Sequence, residues 1–417
     1  MATAAAIDPP GRSDGDYPSI PRGVLAFAFL MVAEFFYAWA WYSVDILRPF
    51  IRDSLGMSLT QAGSGYSAQA AGALIGAVVV GQMADRIGRR AMLMTVMIGY
   101  GVTLVAGVFV ESYTHYLAQR ALLGLFMGGI FPVVVGIYVG LFRNNVSGRL
   151  ASLINGTASL AIVVQGLAIG AIAGHDWRLL LWLGGVPPVL LAVLAFVVVP
   201  RSADTRTART PGAALPLLEL FAAPVRRQTI LLAVLMGLNF FGYQAFSGWL
   251  TTYLRDERAL TPATVGELVA VVSTANIIGG FVWGWLGDRF GRRFNALGFF
   301  AAAVAVVLYL IVPSGFAVLA VLGASYGFML STSVIWGPWL TELYPPHLKS
   351  TAASIFNWGR IVSIFAPLIT GQLASGVGLP ATMALASVAF VIAGGIWLSL
   401  PETNARGLLP GGGRKKD

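Results

Sequence analysis

Cysteine is absent from the 417 residues, which excludes disulfides, thiol nucleophiles and thiolate metal sites. Histidine is almost absent too. His115, His175 and His347 fall in loops or at helix ends, and none forms a metal-ligand spacing with a neighbour. No metal site and no nucleophile–base pair is legible, so no enzyme is expected. Charge is scarce, at 11% of residues, where a soluble domain carries about a quarter. The first 21 residues lack an apolar h-region and hold Pro9, Pro10 and Pro18, so they read as a tail and not as a signal peptide. No stretch outside the apolar runs is long enough for a soluble domain, which argues against a membrane-bound sensor.

What is abundant is apolar surface. The hydrophobic fraction is 57% and the mean hydropathy +0.77, so the bilayer is the solvent this chain requires. A net charge of +9 invites a nucleic-acid partner, but the basic residues sit in short loops between apolar runs, and none is expected. Runs near 20 residues predict spanning helices at 23–48, 62–84, 91–110, 116–141, 149–173, 177–199, 229–254, 264–286, 295–312, 316–341, 350–374 and 380–400. Only helices fit, because in lipid every backbone polar group needs a partner inside its own segment. The longest polar break, Pro200–Gln228, separates six helices from six. The organisation is thus a tail (1–22), a six-helix bundle (23–199), a loop (200–228), a second bundle (229–400) and a second tail (401–417). With the N-terminus cytoplasmic, twenty Lys and Arg lie on that side and five on the other. The positive-inside rule then places both termini in the cytoplasm.

The halves repeat. Gly81, Asp85, Arg86, Gly88, Arg89 and Arg90 follow the second span. Gly284, Asp288, Arg289, Gly291, Arg292 and Arg293 follow the eighth, 203 residues later. A tight turn there calls for Gly88 and Gly291, and the arginines suit an anionic leaflet. This doubled G-x-x-x-D-R-x-G-R-R signature, with twelve spans, resembles the major facilitator superfamily over almost the whole chain. The resemblance implies an all-α membrane fold of two six-helix bundles related by a pseudo-two-fold axis, alternating access, and a cytoplasmic gate to which Asp85 belongs. Glu342-Leu343-Tyr344-Pro345 with Lys349 resembles a segment after helix ten of proton symporters. Phe356-Asn357-Trp358-Gly359-Arg360 is similar to the N-x-G-R of carboxylate and aromatic-acid symporters. Pro401-Glu402-Thr403 resembles the P-E-T that closes such chains. Phe142 stands where Glu342 stands in the other half, so a symmetric charge network is not expected in the first half.

Intramembrane charges are costly and mark candidate sites. Glu34 and Asp45 lie eleven residues, three turns, apart on helix one, with Tyr37, Ala38 and Trp41 on the same stripe. That stripe reads as a cavity wall or, structurally, as a packed face. Arg120 begins R-x-x-x-G-x-x-x-G with Gly124 and Gly128, which resembles a superfamily segment and permits close helix approach. By depth Asp45 is the expected partner of Arg120, with Glu34 a competing partner, and by burial Glu34 is the expected proton site; protonation of either acid would alter its hold on Arg120. Asp45 alternatively sits at the interface near Arg48 and Arg52. Arg360 is expected to take a substrate carboxylate, with Asn357 orienting it, unless it bridges to Glu342. Gln165, Asn239, Tyr243 and Trp336 complete the expected lining. The reading is a proton-coupled symporter of a small organic anion, a monocarboxylate or aromatic acid, in a bacterial inner membrane. It works as a monomer without a cofactor, binding its substrate between the halves. A sugar or polyol porter and an exporter of the same superfamily are the alternatives, the exporter disfavoured by the lack of a G-P-x-x-G-G pattern in helix five.

Overall fold

The computed structural model describes residues 18–130, 133–134, 137, 141, 147–172, 176–200, 218–313, 315–345, 348, 352 and 355–403. Each of the twelve apolar stretches holds a helix. These are α1 (Ile20–Ile46), α2 (Leu59–Ile87), α3 (Arg89–Ala106), α4 (Tyr113–Met127), α5 (Ser147–Ile172), α6 (Leu179–Ala192), α7 (Ala223–Phe246), α8 (Pro262–Phe290), α9 (Ala296–Ile311), α10 (Phe316–Leu330), α11 (Ile355–Val377) and α12 (Leu385–Ser399). Among the described residues nine helical spans are long and apolar enough to cross a membrane, with shorter apolar helices at Gly156–Ile172 and Leu179–Ala192. The protein is an all-helical, multi-pass membrane protein.

Local chemistry sets the helix ends. Before α2, Ser58 Oγ accepts from the Gln61 amide at 3.2 Å while Gln61 Oε1 accepts from the Ser58 amide at 2.9 Å, a capping box. Ser112 caps α4 through the His115 amide. Gly88 and Gly291 end α2 and α8 with φ of +96° and +104°, the left-handed region that glycine enters without penalty. The tenth span departs from the single helix expected at 316–341. It tightens to a 3₁₀ turn over Ser331–Ile335 and resumes as Trp336–Glu342. Hydroxyls compete for the backbone there: Ser331 Oγ donates to Phe328 O at 2.7 Å, and Thr332 Oγ1 to Asn295 O at 2.6 Å. Asn295 returns its Nδ2 to Thr332 O at 3.0 Å.

The chain forms two compact units, Met1–Pro211 with Leu254–Glu267, and Gly212–Tyr253 with Leu268–Asp417. In the first, α2 and α4 touch backbone to backbone. A Cβ on Gly76 would lie 2.0 Å from Leu125 O, one on Gly124 1.9 Å from Gln69 O, and one on Gly128 2.0 Å from Ala73 O. The approach expected from Gly124 and Gly128 is therefore present, and α2 supplies Gly72 and Gly76 in return. α1 packs on α5, and α3 on α6. In the second unit α7 packs on α11 and α12, and α9 on α10 and α12.

The boundary in the polar loop does not account for Leu254–Glu267, which packs with the first unit. Two things hold it there. A Cβ on Gly266 would lie 2.1 Å from Gly166 O of α5. The short helix Arg48–Ser54 also meets the π-helical turn Tyr253–Glu257. Arg52 bridges Asp256 at 2.7 Å, Arg255 bridges Asp53 at 2.5 Å, and Arg52 reaches Asp53 at 3.2 Å. The Arg255 guanidinium also covers the Phe50 ring at 4.7 Å. The four charges alternate in sign, so each has an opposite neighbour.

Two outcomes follow from this packing. Gly76→Val or Gly124→Leu should cost about 1–3 kcal/mol by overpacking, read as a lower midpoint of thermal unfolding in detergent. Gly156→Ala, whose Cβ meets nothing within 4 Å, should cost nothing. Arg255→Asp should speed amide exchange across 254–267 about two- to five-fold, as expected for a partly exposed pair. The exchange Asp53→Arg with Arg255→Asp should restore protection. Equal exchange in all three proteins would leave the quartet without a holding role.

Candidate functional site

Helix one carries the first candidate group. Glu34, Trp41 and Asp45 are buried, and Tyr37 is half-buried. Tyr37 stacks on Trp41 with ring centroids 6.1 Å apart and meets Tyr100 of α3 edge-on at 6.5 Å. Trp41 meets Tyr66 of α2 edge-on at 6.2 Å. Tyr37 and Trp41 thus share one surface that meets the tyrosines of α2 and α3. The sequence did not single out Tyr66 and Tyr100.

The charge of Asp45 acts on Arg120, but the hydrogen bonds of Arg120 go to neutral oxygens. Asp45 Oδ1 bridges Arg48 Nη2 at 2.5 Å, the interfacial alternative. Arg48 is three residues along the chain and reaches the carboxylate without any long-range packing. Arg120 is 1% exposed. Its Nη1 donates to Ser43 Oγ at 2.9 Å and to Gln69 Oε1 at 3.3 Å, and its guanidinium lies 5.4 Å from the Tyr116 ring centroid. Gln69 Nε2 donates to Trp41 O at 3.0 Å, which ties α2 to α1. A signal for Gln69 was available, since an amide inside an apolar span is itself an anomaly.

The remaining expected lining residues scatter. Gln165 is fully buried and donates Nε2 to Trp39 O at 3.4 Å, while its Oε1 has no hydrogen-bond partner among the described residues. The same holds for Oδ1 of buried Asn239 and for both amide atoms of buried Gln244. Tyr243 is half-buried. Trp336 is not a cavity wall. Phe299 and Trp397 enclose it with centroids at 5.6 and 5.3 Å, and it is core of the second unit. Arg360 is half-buried on α11. Glu342, its alternative partner, is bound by Arg292. The side chain of Asn357 lies outside the described residues.

The signature after α8 closes into a cage. Arg292 forks onto Glu342 with Nη2–Oε1 at 2.7 Å and Nε–Oε2 at 3.2 Å, and its Nη1 meets Asp288 at 2.7 Å. Glu402 accepts the Arg292 and Arg293 amides at 2.7 and 2.8 Å. A Cβ on Gly291 would lie 2.7 Å from Glu402 Oε2, so this glycine serves both the turn and the carboxylate. Thr403 Oγ1 donates to Glu342 at 2.5 Å. Arg289 is exposed against Trp285 at 5.6 Å. Tyr344 shares a hydrogen with Thr229 at 2.8 Å, and burial pushes its phenol pKa up. In the first unit Arg86 is exposed, Gly81 and Arg89 are half-buried, and buried Arg90 donates to Phe196 O and covers the Phe196 ring at 4.9 Å. The side chain of Asp85, and the residues Phe142, His175, His347 and Lys349, lie outside the described residues.

The profile described as Major Facilitator Superfamily matches residues 30–360 and 232–416. The cis,cis-muconate transport protein of Acinetobacter baylyi is 28% identical over 362 residues, 82% of this chain and 86% of its own. The gallate transporter of Pseudomonas putida is 25% identical over 410 residues, 86% of this chain and 88% of its own. Among solved structures, a bacterial homologue of the human lysosomal transporter Spinster, inward-facing and unoccupied, aligns with a TM-score of 0.75 at 16% identity, covering 92% of this chain and 97% of that one. The signature closes a helix at a positive-φ glycine in both units, on a fold shared with solved transporters, and the chain belongs to the Major Facilitator Superfamily.

Proposed function

We propose that this protein is a proton-coupled symporter of a small organic anion, an aromatic or other carboxylic acid, working by alternating access. In this reading it is a monomer in a bacterial inner membrane with both termini in the cytoplasm, and it needs no cofactor beyond the proton. The observation that carries the anion is Arg120. It is a buried guanidinium whose hydrogen-bond and ring partners among the described residues, Ser43, Gln69 and Tyr116, are all neutral. Relatives named for muconate and gallate, both carboxylates, support the same class. Arg360 is the second unit's candidate contact for the carboxylate.

Glu34 is the proposed proton site. It is buried on α1, while Asp45, the other acid on the stripe, is held by Arg48. A symporter must link protonation to substrate binding, so that the half-loaded carrier does not cross freely. The sugar or polyol alternative draws on Gln165 Oε1 and Asn239 Oδ1, buried acceptors with no hydrogen-bond partner among the described residues.

Uptake of labelled benzoate, gallate, cis,cis-muconate and glucose into proteoliposomes, with and without a pH gradient, tests the class. An acid should accumulate only with the gradient, and glucose should not. Glucose uptake alone would select the porter alternative. Glu34→Gln should abolish uphill accumulation yet keep counterflow exchange. Uphill accumulation in this variant would remove Glu34 as the proton site. Asp45→Asn should fail differently. It removes the carboxylate that bridges buried Arg48 and should destabilise the fold by about 3–5 kcal/mol, seen as lost thermal stability. Arg360→Lys keeps the charge but loses the planar fork, and should raise KM for the acid about ten-fold or more.

A further inference from the structure

Gln69 occupies an unusual place. It is 0% exposed, and its backbone lies in the tightest part of the α2–α4 contact, where Gly124 leaves room for nothing larger than hydrogen. Arg120 stands one helical turn before Gly124, so the glycine contact delivers the guanidinium to the Gln69 side chain. Both ends of the amide are engaged. Nε2 donates to Trp41 O at 3.0 Å and Oε1 accepts from Arg120 Nη1 at 3.3 Å. Its orientation is therefore fixed by donors and acceptors that cannot be interchanged. Ser43 is fixed in the same way. Its Oγ donates to Ala40 O at 2.7 Å, which turns an oxygen lone pair towards Arg120 Nη1 at 2.9 Å.

Two neutral oxygens thus aim a cation that a carboxylate would bind more strongly. The nearby carboxylate, Asp45, bridges Arg48 at 2.5 Å and acts on Arg120 by charge without a hydrogen bond. Arg120 also keeps Nε without a hydrogen-bond partner among the described residues. A dry guanidinium with an unused donor is expensive. We infer that Gln69 is a positioning residue that holds Arg120 aimed with no carboxylate hydrogen-bonded to it, so that its open donor face is taken by the carboxylate of the transported acid. Trp41 belongs to the same unit of construction. The amide that aims Arg120 also grips the Trp41 carbonyl, and the Trp41 ring meets those of Tyr37 and Tyr66. The recognised class is then an acid with a flat unsaturated body, its carboxylate on Arg120 and its π face on these rings.

This assignment rests on the organic-anion reading, and the experiment separates the two. Full-length protein is reconstituted as wild type, Gln69→Glu and Gln69→Leu. Uptake of labelled benzoate and gallate is competed with the matching amides, benzamide and gallamide. Wild type should prefer acid to amide. Gln69→Glu supplies an internal counter-charge of the same shape, at the loss of the hydrogen donated to Trp41 O. It should raise KM for the acid at least ten-fold, change Vmax far less, and reduce the acid-over-amide preference by a similar factor. Gln69→Leu leaves the guanidinium unaimed and should lower the preference in the same direction. A purely structural role would lower the amount of folded protein without moving that preference. Should Gln69→Glu not fold, Gln69→Leu decides alone. Wild-type KM and wild-type preference in the folded variants would overturn the assignment by itself. Absence of acid transport by the wild type would overturn the anion reading and this assignment with it.

Discussion

A guanidinium that cannot reach water has to be held by the protein around it, and in the first unit that requirement organises the packing. Arg120 can meet Ser43 of α1 and Gln69 of α2 only if α4 comes within backbone contact of α2. That approach needs hydrogens where side chains would stand, at Gly72, Gly76, Gly124 and Gly128. In lipid there is little hydrophobic gain in bringing two apolar helices together, so close van der Waals contact and interhelical hydrogen bonds must supply the association. The glycine stripe and the arginine are one device. The stripe sets the distance, and the polar bridge fixes the rotation of three helices about their axes. Trp41 and Tyr37 take their places on α1 as a consequence.

The two signature loops show the same economy with different charges. Arg90 and Arg293 occupy matching positions in the repeat, and each donates to a carbonyl at the end of the last helix of its own unit, Phe196 and Leu400. Those carbonyls belong to the unsatisfied set that every helix C-terminus leaves, and a cation there also complements the helix dipole. The second unit adds acids to this frame. Glu342 takes the Arg292 fork, and Glu402 takes two backbone amides across Gly291. The side chain that follows Thr341 and the one that follows Pro401 are therefore part of one ionic structure, although 60 positions separate them in the sequence. A loop built from G-R-R alone caps a helix, whereas a loop with two carboxylates is also clamped to the chain that follows the last span.

The number and placing of the helices were legible because lipid leaves the backbone few choices, and an apolar run near 20 residues is hard to mistake. The turn glycines were legible for a similar reason, since a sharp connection between two long helices leaves few residue types able to adopt it. Charge pairing was not legible in the same way. Depth in the membrane brought Asp45 level with Arg120, but depth is one coordinate of three. Arg48, one turn beyond Asp45, needs no tertiary structure to reach it. A local partner at i+3 has an entropic advantage over one that must be brought from another helix, and a depth argument contains no such term. Trp336 illustrates the complementary limit. Its position within the span did suggest an interior residue, but whether an interior face looks onto a cavity or onto Phe299 and Trp397 depends on ring packing that no periodicity encodes.

Gln69 shows what a different question would have found. Counting ionisable residues in the spans located Arg120, Glu34, Asp45 and Arg360, but the same energetic reasoning applies to amides. A buried amide in hydrocarbon costs several kcal/mol unless both its ends are paired. An isolated Gln among Ala, Gly and Ser in α2 therefore implies, by its residue type and place alone, partners on other helices. Here those partners are a backbone carbonyl and a guanidinium. The carbonyl is satisfied by a neutral donor, which is ordinary. The guanidinium is satisfied by neutral acceptors, with the charge of Asp45 acting on it without a hydrogen bond. That difference distinguishes a residue that merely fastens helices from one that keeps a charge in readiness. It follows from the identity of the acceptor atom rather than from burial or distance.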